Sequence, residues 1–345
     1  MKTKYLIIGS AATDDPRTHG GVTLLVRQLL DYFDEKNKEY IFIQAMQFKG
    51  GNKISMFFNY IYVLFNVLIH IRKVDIVMVN VSSNGAYYLS PLVLFISKIF
   101  KKKFIFRRFA GNCIELYNAA PLWKRKLMDY LIKQVDIMFF EPQYLVKYFS
   151  KKRSNTFWFP NVRKKSNIVR EKGRPYANRF IYIGQIRRSK GIDELLATSE
   201  KLSSNYHIDL YGTLFDTKYN ETYLEKFQNV TYKGRVHHKK IYETLAQYDV
   251  LVLPSYMEGY PGVLIEAYAV GLPVIVSDLP STREIVDHEK TGLLIEVKNV
   301  DSLLTSMKWF DTRNYNKMSY NASKKFNIFE YEQVYRNVIE ICEEK

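Results

Sequence analysis

Short apolar runs alternate with stretches of helical period along most of the chain. In the first half, Lys4–Ile8, Tyr40–Gln44, Asp75–Val79, Phe104–Phe106 and Asp136–Phe140 are too short to be helices and read as buried strands. Between them, Val22–Phe33, Ile54–Arg72, Ala86–Phe100 and Leu122–Lys133 carry apolar residues at helical spacing. Strand, helix, strand in this rhythm predicts a parallel sheet covered on both faces. Ser150–Tyr176 interrupts it: K-K-R, W-F-P-N-V-R-K-K and E-K-G-R-P crowd basic residues, Gly and Pro together, as a linker does. The rhythm then restarts. Phe180–Ile183, His207–Tyr211, Asn229–Tyr232, Val250–Leu253, Val274–Val276 and Leu293–Ile295 are strand candidates, with helices such as Gly191–Lys201, Lys239–Tyr248 and Val263–Val270 between them.

The expected fold class is therefore α/β: two doubly wound, Rossmann-like domains facing each other across a cleft. Residues 1–160 form the first domain, 161–178 the linker and 179–327 the second domain. Residues 328–345, with the helix Glu330–Glu343, are expected to pack back on the first domain. A length of 345 residues fits two domains of about 150 each. With 47% hydrophobic and 25% charged residues, the chain is not a disordered one. Cys113 and Cys342 make neither a zinc spacing nor a disulfide framework, which fits a reducing cytosol. The opening M-K-T-K-Y-L-I-I-G-S has too short an apolar run for a signal peptide, so a cytoplasmic protein is expected.

Charge changes this picture. The net charge is +16, and it is lopsided. Residues 1–170 hold 28 basic and 11 acidic side chains, whereas 171–345 hold 23 and 24. A first half of that sign suits an anionic partner. Basic clusters recur at Lys101–Lys103, Lys124–Lys126, Lys151–Arg153 and Arg163–Lys165. Near an anionic leaflet each basic side chain contributes about 1 kcal/mol, an attraction that salt screens. Nucleic acid is the rival partner, but no groove-reading helix, zinc finger or RNA-binding signature occurs, so none is expected. Ile54–Ile71 is the most apolar stretch. Asn59, Asn66 and His70 interrupt it at spacings that put them on one helical face, so it reads as an amphipathic helix with a narrow polar stripe. A core helix under the first sheet and a helix dipping into a membrane interface both fit.

Candidate chemistry concentrates at Leu251–Pro273, L-V-L-P-S-Y-M-E-G-Y-P-G-V-L-I-E-A-Y-A-V-G-L-P. A strand ends at Leu253, a loop follows, and a helix starts near Gly262 or Val263. The outward N–H groups of such a helix start suit an anion. Glu258 in the loop and Glu266 on the first turn can clamp two hydroxyl-bearing parts of one ligand. In I-Y-I-G-Q-I-R-R-S-K-G, a strand ends at Gly184 and the loop carries Arg187, Arg188 and Lys190, cations that suit a diphosphate. Ligands of such sheets bind outside the carboxyl ends of the strands. A third piece, T-H-G-G-V-T-L-L, has Gly20 and Gly21 before a helix, where the backbone can approach a ligand. No His/Asp/Glu cluster has metal spacing, so neither metal nor cofactor is expected.

The motif E-G-Y-P-G-V-L-I-E-A, followed by G-L-P-V-I-V-S-D, E-I-V and T-G-L-L, resembles the paired-glutamate region of family 4 glycosyltransferases with the GT-B fold, of the bacterial surface-polysaccharide type. The Gly-Gly loop and Pro160–Asn161 are supporting matches. The resemblance implies a retaining, metal-independent hexosyltransferase. Its donor would be a nucleotide diphosphate sugar, UDP-linked rather than GDP-linked. Its acceptor would be a saccharide carried on a lipid, in capsule, exopolysaccharide or O-antigen synthesis. The place of work would be the inner face of the cytoplasmic membrane. By resemblance, Glu258 holds a ring hydroxyl of the donor sugar and Glu266 the ribose. The N–H groups of Gly259, Tyr260, Gly262 and Val263 meet sugar and phosphate, and Lys190 meets the diphosphate. Gly20 and Gly21 close on the donor, and the loop with Arg235 and Val236 receives the base. Two departures stand out. Gln185 occupies the place of a frequent family Arg, which Arg187 or Arg188 would replace. The stretch F-R-R-F-A-G has no His, so Arg108, together with His19, is the acceptor-side candidate. An inactive membrane-bound scaffold, a GT-B sugar-nucleotide epimerase and a phosphorylase are the alternatives. The intact Glu258, Glu266 and Lys190 argue against the scaffold, and the glutamate motif against the other two.

Overall fold

The computed structural model describes residues 2–13, 20–46, 53–109, 111, 113–168, 170 and 175–344. They form two compact units: Met1–Asn161 together with Gln333–Lys345, and Val162–Glu332.

The first unit holds six strands: β1 (Lys4–Gly9), β2 (Glu39–Gln44), β3 (Ile76–Val81), β4 (Lys103–Arg108), β5 (Ile137–Phe140) and β6 (Thr156–Trp158). They lie in the order β2-β1-β3-β4-β5-β6 and every pair is parallel. Helices α1 (Gly21–Glu35), α2 (Lys53–His70), α3 (Ser83–Ile99), α4 (Cys113–Ala119), α5 (Leu122–Gln134) and α6 (Gln143–Ser150) connect them. Parallel pairing requires these crossovers. Strand β6 lies inside the stretch read as a linker; at three residues it is too short to show a period.

Burial explains most of these elements. Strands β3 and β5 are buried along their whole length, as expected for a sheet covered on both faces. Helix α2 departs from its sequence reading. Val63 and Val67 have no exposed surface and Asn59 is buried, so these residues face the core. Asn66 donates its Nδ2 to the Tyr62 carbonyl one turn back. The apolar positions Ile54, Phe57, Phe58, Ile61, Phe65, Leu68 and Ile69 are exposed. The polar stripe does not face water: short valines suffice for the inward face, leaving the bulky residues outside.

The second unit repeats the architecture with β7 (Arg179–Ile183), β8 (His207–Tyr211), β9 (Val230–Tyr232), β10 (Val250–Leu253), β11 (Val274–Ser277) and β12 (Gly292–Ile295). The order is β12-β11-β10-β7-β8-β9, again parallel throughout. Its helices are α7 (Ile192–Ser199), α8 (Glu221–Leu224), α9 (Ile241–Leu245), α10 (Gly262–Ala269), α11 (Pro280–Ile285), α12 (Val300–Trp309) and α13 (Thr312–Lys325). The strand order reverses between β7 and β10, which opens a crevice at their carboxyl ends.

Much of 161–178 belongs to this unit rather than joining two bodies. Asp249, with no exposed surface, binds it: its carboxylate accepts from Arg170 Nη2 at 2.6 Å and from the N–H groups of Ala177 at 3.0 Å and Arg179 at 2.9 Å. Within the stretch read as a linker, Arg170 and Ala177 are thus tied to the second unit's core.

The last helix, α14 (Tyr331–Glu343), returns to the first unit. Tyr335 stacks on Tyr32 of α1, with ring centroids 4.9 Å apart. Beneath it Arg107 of β4 is fully buried, its guanidinium 3.4 Å over the Phe159 ring. Burial pulls its pKa below the usual arginine value, and Tyr335 and Glu141 oppose the shift. Counted by unit, the charge is 26 basic against 14 acidic in the first and 25 against 21 in the second. The asymmetry is milder than a cut at residue 170 suggests, because the Arg163–Lys165 cluster sits in the second unit and the acidic tail in the first.

Candidate active site

The loops after β7 and β10 meet at the switch point of the second sheet. Gly191 makes the approach possible. Its φ is +74°, and a Cβ there would lie 2.1 Å from the Pro254 carbonyl oxygen. Only glycine fits such contact. The N–H of Tyr256 donates to the Ser189 carbonyl at 3.0 Å and binds the two loops together. The same closeness recurs at the next strand, where a Cβ on Gly212 would lie 1.6 Å from the Gly184 carbonyl oxygen.

Across this junction Lys190 Nζ donates to Glu258 Oε1 at 2.6 Å. The pair is largely buried, with side-chain exposures of 24% and 11%. The Ser281 hydroxyl donates to the Glu258 carbonyl at 3.0 Å and fixes the loop from α11. An ammonium group has three donors, so one bond to Glu258 leaves two for an anion.

Glu266, one turn into α10, meets a cation that the sequence reading had assigned elsewhere. Arg163 Nε donates to Glu266 Oε1 at 2.7 Å. Tyr242 lies close by: burial, then the Glu266 charge, pushes its hydroxyl up to about 12, opposed by Arg163. Arg163 had been grouped with Lys164 and Lys165 as a basic cluster. Its place one residue after Asn161–Val162, where the chain enters the second unit, was the available signal. Gly262 and Val263 open α10, ahead of the first intrahelical acceptor, so their N–H groups point out of the helix. Gly259 and Tyr260 lie in the loop between Glu258 and α10.

The two arginines after Gly184 separate. Arg188 has a side chain 78% exposed and lies 3.6 Å from Asp193, which Lys218 also holds. Arg187 lies 4.7 Å over the Phe215 ring and 3.5 Å from Gln185 Oε1, and its buried Nε has no acceptor. Tyr182, between these groups, is pushed well above the ordinary tyrosine value by burial and then by Glu258, while Arg187 opposes. Lys190 and Glu258 pair directly, while Arg187 and Arg188 both line the adjacent pocket with Ser189, Glu194, Asp216 and Tyr256. Further along the same edge, Gly234 has φ +73° and Arg235 Nε donates to Thr213 Oγ1 at 2.7 Å. Val236 follows, half-buried.

In the first unit, Gly20 caps α1 and Gly21 begins it. A Cβ on Gly21 would meet nothing within 4 Å, so local packing does not demand glycine there. Arg108 is 1% exposed, its guanidinium 5.3 Å over Tyr87. As the chain stands it is a buried residue, not an open acceptor contact. His19 lies outside the described residues. Among the described residues no three His, Cys, Asp or Glu side chains converge as a metal site.

Residues 164–325 match the family model described as glycosyl transferases group 1. The matched segment coincides with the second unit and contains Lys190, Glu258 and Glu266. A Klebsiella pneumoniae protein described as an uncharacterized 41.2 kDa protein in the cps region is 23% identical over 335 residues, covering 88% of this chain and 90% of its own. The Escherichia coli UDP-Gal:alpha-D-GlcNAc-diphosphoundecaprenol alpha-1,3-galactosyltransferase is 40% identical over 85 residues, 23% of this chain and 22% of that protein. Among solved structures, sucrose-phosphate synthase from Thermosynechococcus elongatus superposes with a TM-score of 0.76 at 16% identity, covering 98% of both chains. Anabaena HepE in complex with UDP gives 0.74 at 12% identity, covering 98% of this chain and 99% of that one. The fold is GT-B. The family match and the relatives support glycosyltransferase activity.

Proposed function

We propose that the protein is a family 4 type, retaining glycosyltransferase. It moves a hexose from a UDP-sugar, in preference to a GDP-sugar, to a lipid-linked saccharide in capsule, exopolysaccharide or O-antigen synthesis. The observation that carries this reading is the Lys190–Glu258 pair at the switch point of the second sheet. Support for the donor comes from the UDP bound to HepE and from the UDP-Gal named for the Escherichia coli relative. That relative's diphosphoundecaprenol acceptor and the cps-region relative support the rest.

Breaking the anomeric C–O bond leaves a nucleoside diphosphate with growing negative charge. Lys190, Arg187 and the start of α10 stabilise that charge, with about 3–4 kcal/mol from one such donor. Glu258 holds a hydroxyl of the sugar and orients the ammonium of Lys190. The acceptor hydroxyl attacks from the face the leaving group vacates, and the departing phosphate takes its proton. Glu266 holds the ribose, oriented by Arg163. The Arg235–Val236 loop receives the base. Because these cations neutralise the diphosphate, turnover should persist in EDTA; loss of activity restored by Mg²⁺ or Mn²⁺ would refute that point. Work on a lipid-linked acceptor places the enzyme at the inner face of the cytoplasmic membrane.

A thermal-shift panel of nucleotides and nucleotide sugars tests the reading. A bound donor at a hundredfold excess over Kd stabilises by about 2.7 kcal/mol. UDP or a UDP-sugar should give the largest shift, and Lys190→Ala should diminish it. No shift with any nucleotide would overturn the assignment.

A further inference from the structure

The outer surface of the first unit is unusual in kind. Of the 20 large apolar side chains exposed among the described residues, 14 lie on α2, α3 and α5. These helices form one layer, with α3 packed against both α2 and α5. On α2 Ile54, Phe58, Ile61, Phe65 and Leu68, at alternating spacings of four and three, form a continuous stripe, which the exposed Phe57 and Ile69 widen. Leu92, Phe95 and Ile99 continue it on α3, and Leu122, Trp123 and Leu127 on α5. A soluble monomer rarely carries so large an apolar patch without using it.

Charge identifies what covers it. Between Glu39 and Glu115 the sole acidic residue is Asp75, whose carboxylate accepts the Lys4 N–H at 2.9 Å. Basic residues gather at the ends of the layer: Arg72 and Lys73 after α2, Lys101 and Lys102 after α3. Lys124 on α5 lies over both Tyr88 and Trp123, at 5.2 and 5.4 Å. An apolar face with a basic rim complements an anionic lipid surface. It does not complement itself, because a two-fold pairing would set basic rim against basic rim.

The helix does not cross the bilayer. Ile54–Lys73 is long and apolar enough by composition, but Val63, Val67 and the buried Asn59 hold it to the domain's core. Leaving that core would strip the sheet of its cover. The layer must therefore lie in the plane of the interface.

We propose that α2, α3 and α5 form a monotopic insertion face, whose apolar side chains enter the acyl region of an anionic leaflet. This deepens the acceptor half of the function proposed above. Attachment is by apolar burial, with charge guiding approach. The groove of about 600 Å³ between α2 and α3, lined by Met56, Phe57, Tyr60, Tyr88, Pro91 and Leu92, opens on this face and offers a seat for one hydrocarbon chain.

Flotation of the full chain with phosphatidylglycerol–phosphatidylcholine vesicles, plain or brominated on the acyl chains, tests the proposal. Binding should persist at 1 M NaCl, where the Debye length is about 3 Å. Brominated chains should quench tryptophan emission, and Trp123→Phe should remove the quenched component. Phe58→Asp with Phe65→Asp alters side chains that are 53% and 63% exposed, so the fold survives. This double variant should partition at least tenfold more weakly while retaining the parent's melting point and UDP-induced thermal shift. Complete release at 1 M NaCl, absence of quenching, or unchanged flotation of the double variant would overturn the proposal. So would a stable dimer that ignores vesicles. Absence of flotation in the parent chain with an intact UDP shift refutes this inference alone, whereas flotation of the parent chain without a UDP shift refutes the donor reading alone.

Discussion

The two units share a scaffold and differ in what they wear outside it. Each is a six-stranded parallel sheet with helices on it. Among the described residues the first exposes 15 of the 20 large apolar side chains that reach the surface, the second five. The contrast is sharpest between α2 and α10. Both read as apolar nearly all round. Helix α10 is covered by α9 and by α13, whose own sequence, T-R-N-Y-N-K-M-S-Y-N-A-S-K-K, turns polar groups outward. Among the described residues helix α2 has no such cover on its outer side. Apolar composition alone therefore does not make a core helix; a further layer does.

If the contrast is functional, lesions in the two units should separate. Lys190→Ala should lower kcat by about 10²–10³ and leave vesicle binding untouched, whereas Phe58→Asp with Phe65→Asp on α2 should do the reverse. Equal damage to both properties by either change would erase the division of labour. Gly191→Ala should destabilise the second unit by about 3 kcal/mol, because it combines a left-handed backbone with a clash against Pro254. Urea unfolding would show the lost cooperativity, and an unchanged midpoint would contradict the close loop contact. Arg163→Ala should raise the donor KM about tenfold, worth about 1.4 kcal/mol, with a smaller change in kcat. A lower KM would mean that Arg163 competes with the ribose instead of orienting Glu266. The smallest effect concerns Cys113, which burial pushes up to about 11. Its folded pKa is raised, so its contribution to stability is complete below the ordinary thiol value and fades as pH rises towards 11. At pH 8 a disulfide reagent should leave the native chain unlabelled and find two thiols after unfolding, since Cys342 is buried as well.

The sheets were legible in the sequence because strands buried on both faces are continuous apolar runs bounded by Gly and polar residues. Strand β6 and helices α4 and α6 were not, being too short to display a period. Lys190, Glu258 and Glu266 announced themselves through the loops around them, which combine Gly and Pro with charge. Arg163 hid among neighbouring cations, since its role depends on a partner 103 residues away. Arg187 and Arg188 looked equivalent in the chain, and only the positions of Asp193 and Phe215 separate them. For α2 the period was legible and the side was not, because the stripe of Asn59 and Asn66 does not say which way it faces.

The chain leaves its first unit at Asn161 and comes home only at Gln333. On a translating ribosome the second unit can therefore be finished while the first still waits for its closing helix. Until Tyr335 emerges, Tyr32 lacks its stacking partner and Arg107 lacks its lid. The segment Gln333–Lys345 thus acts as a latch, synthesised after the second unit, on a sheet synthesised before it.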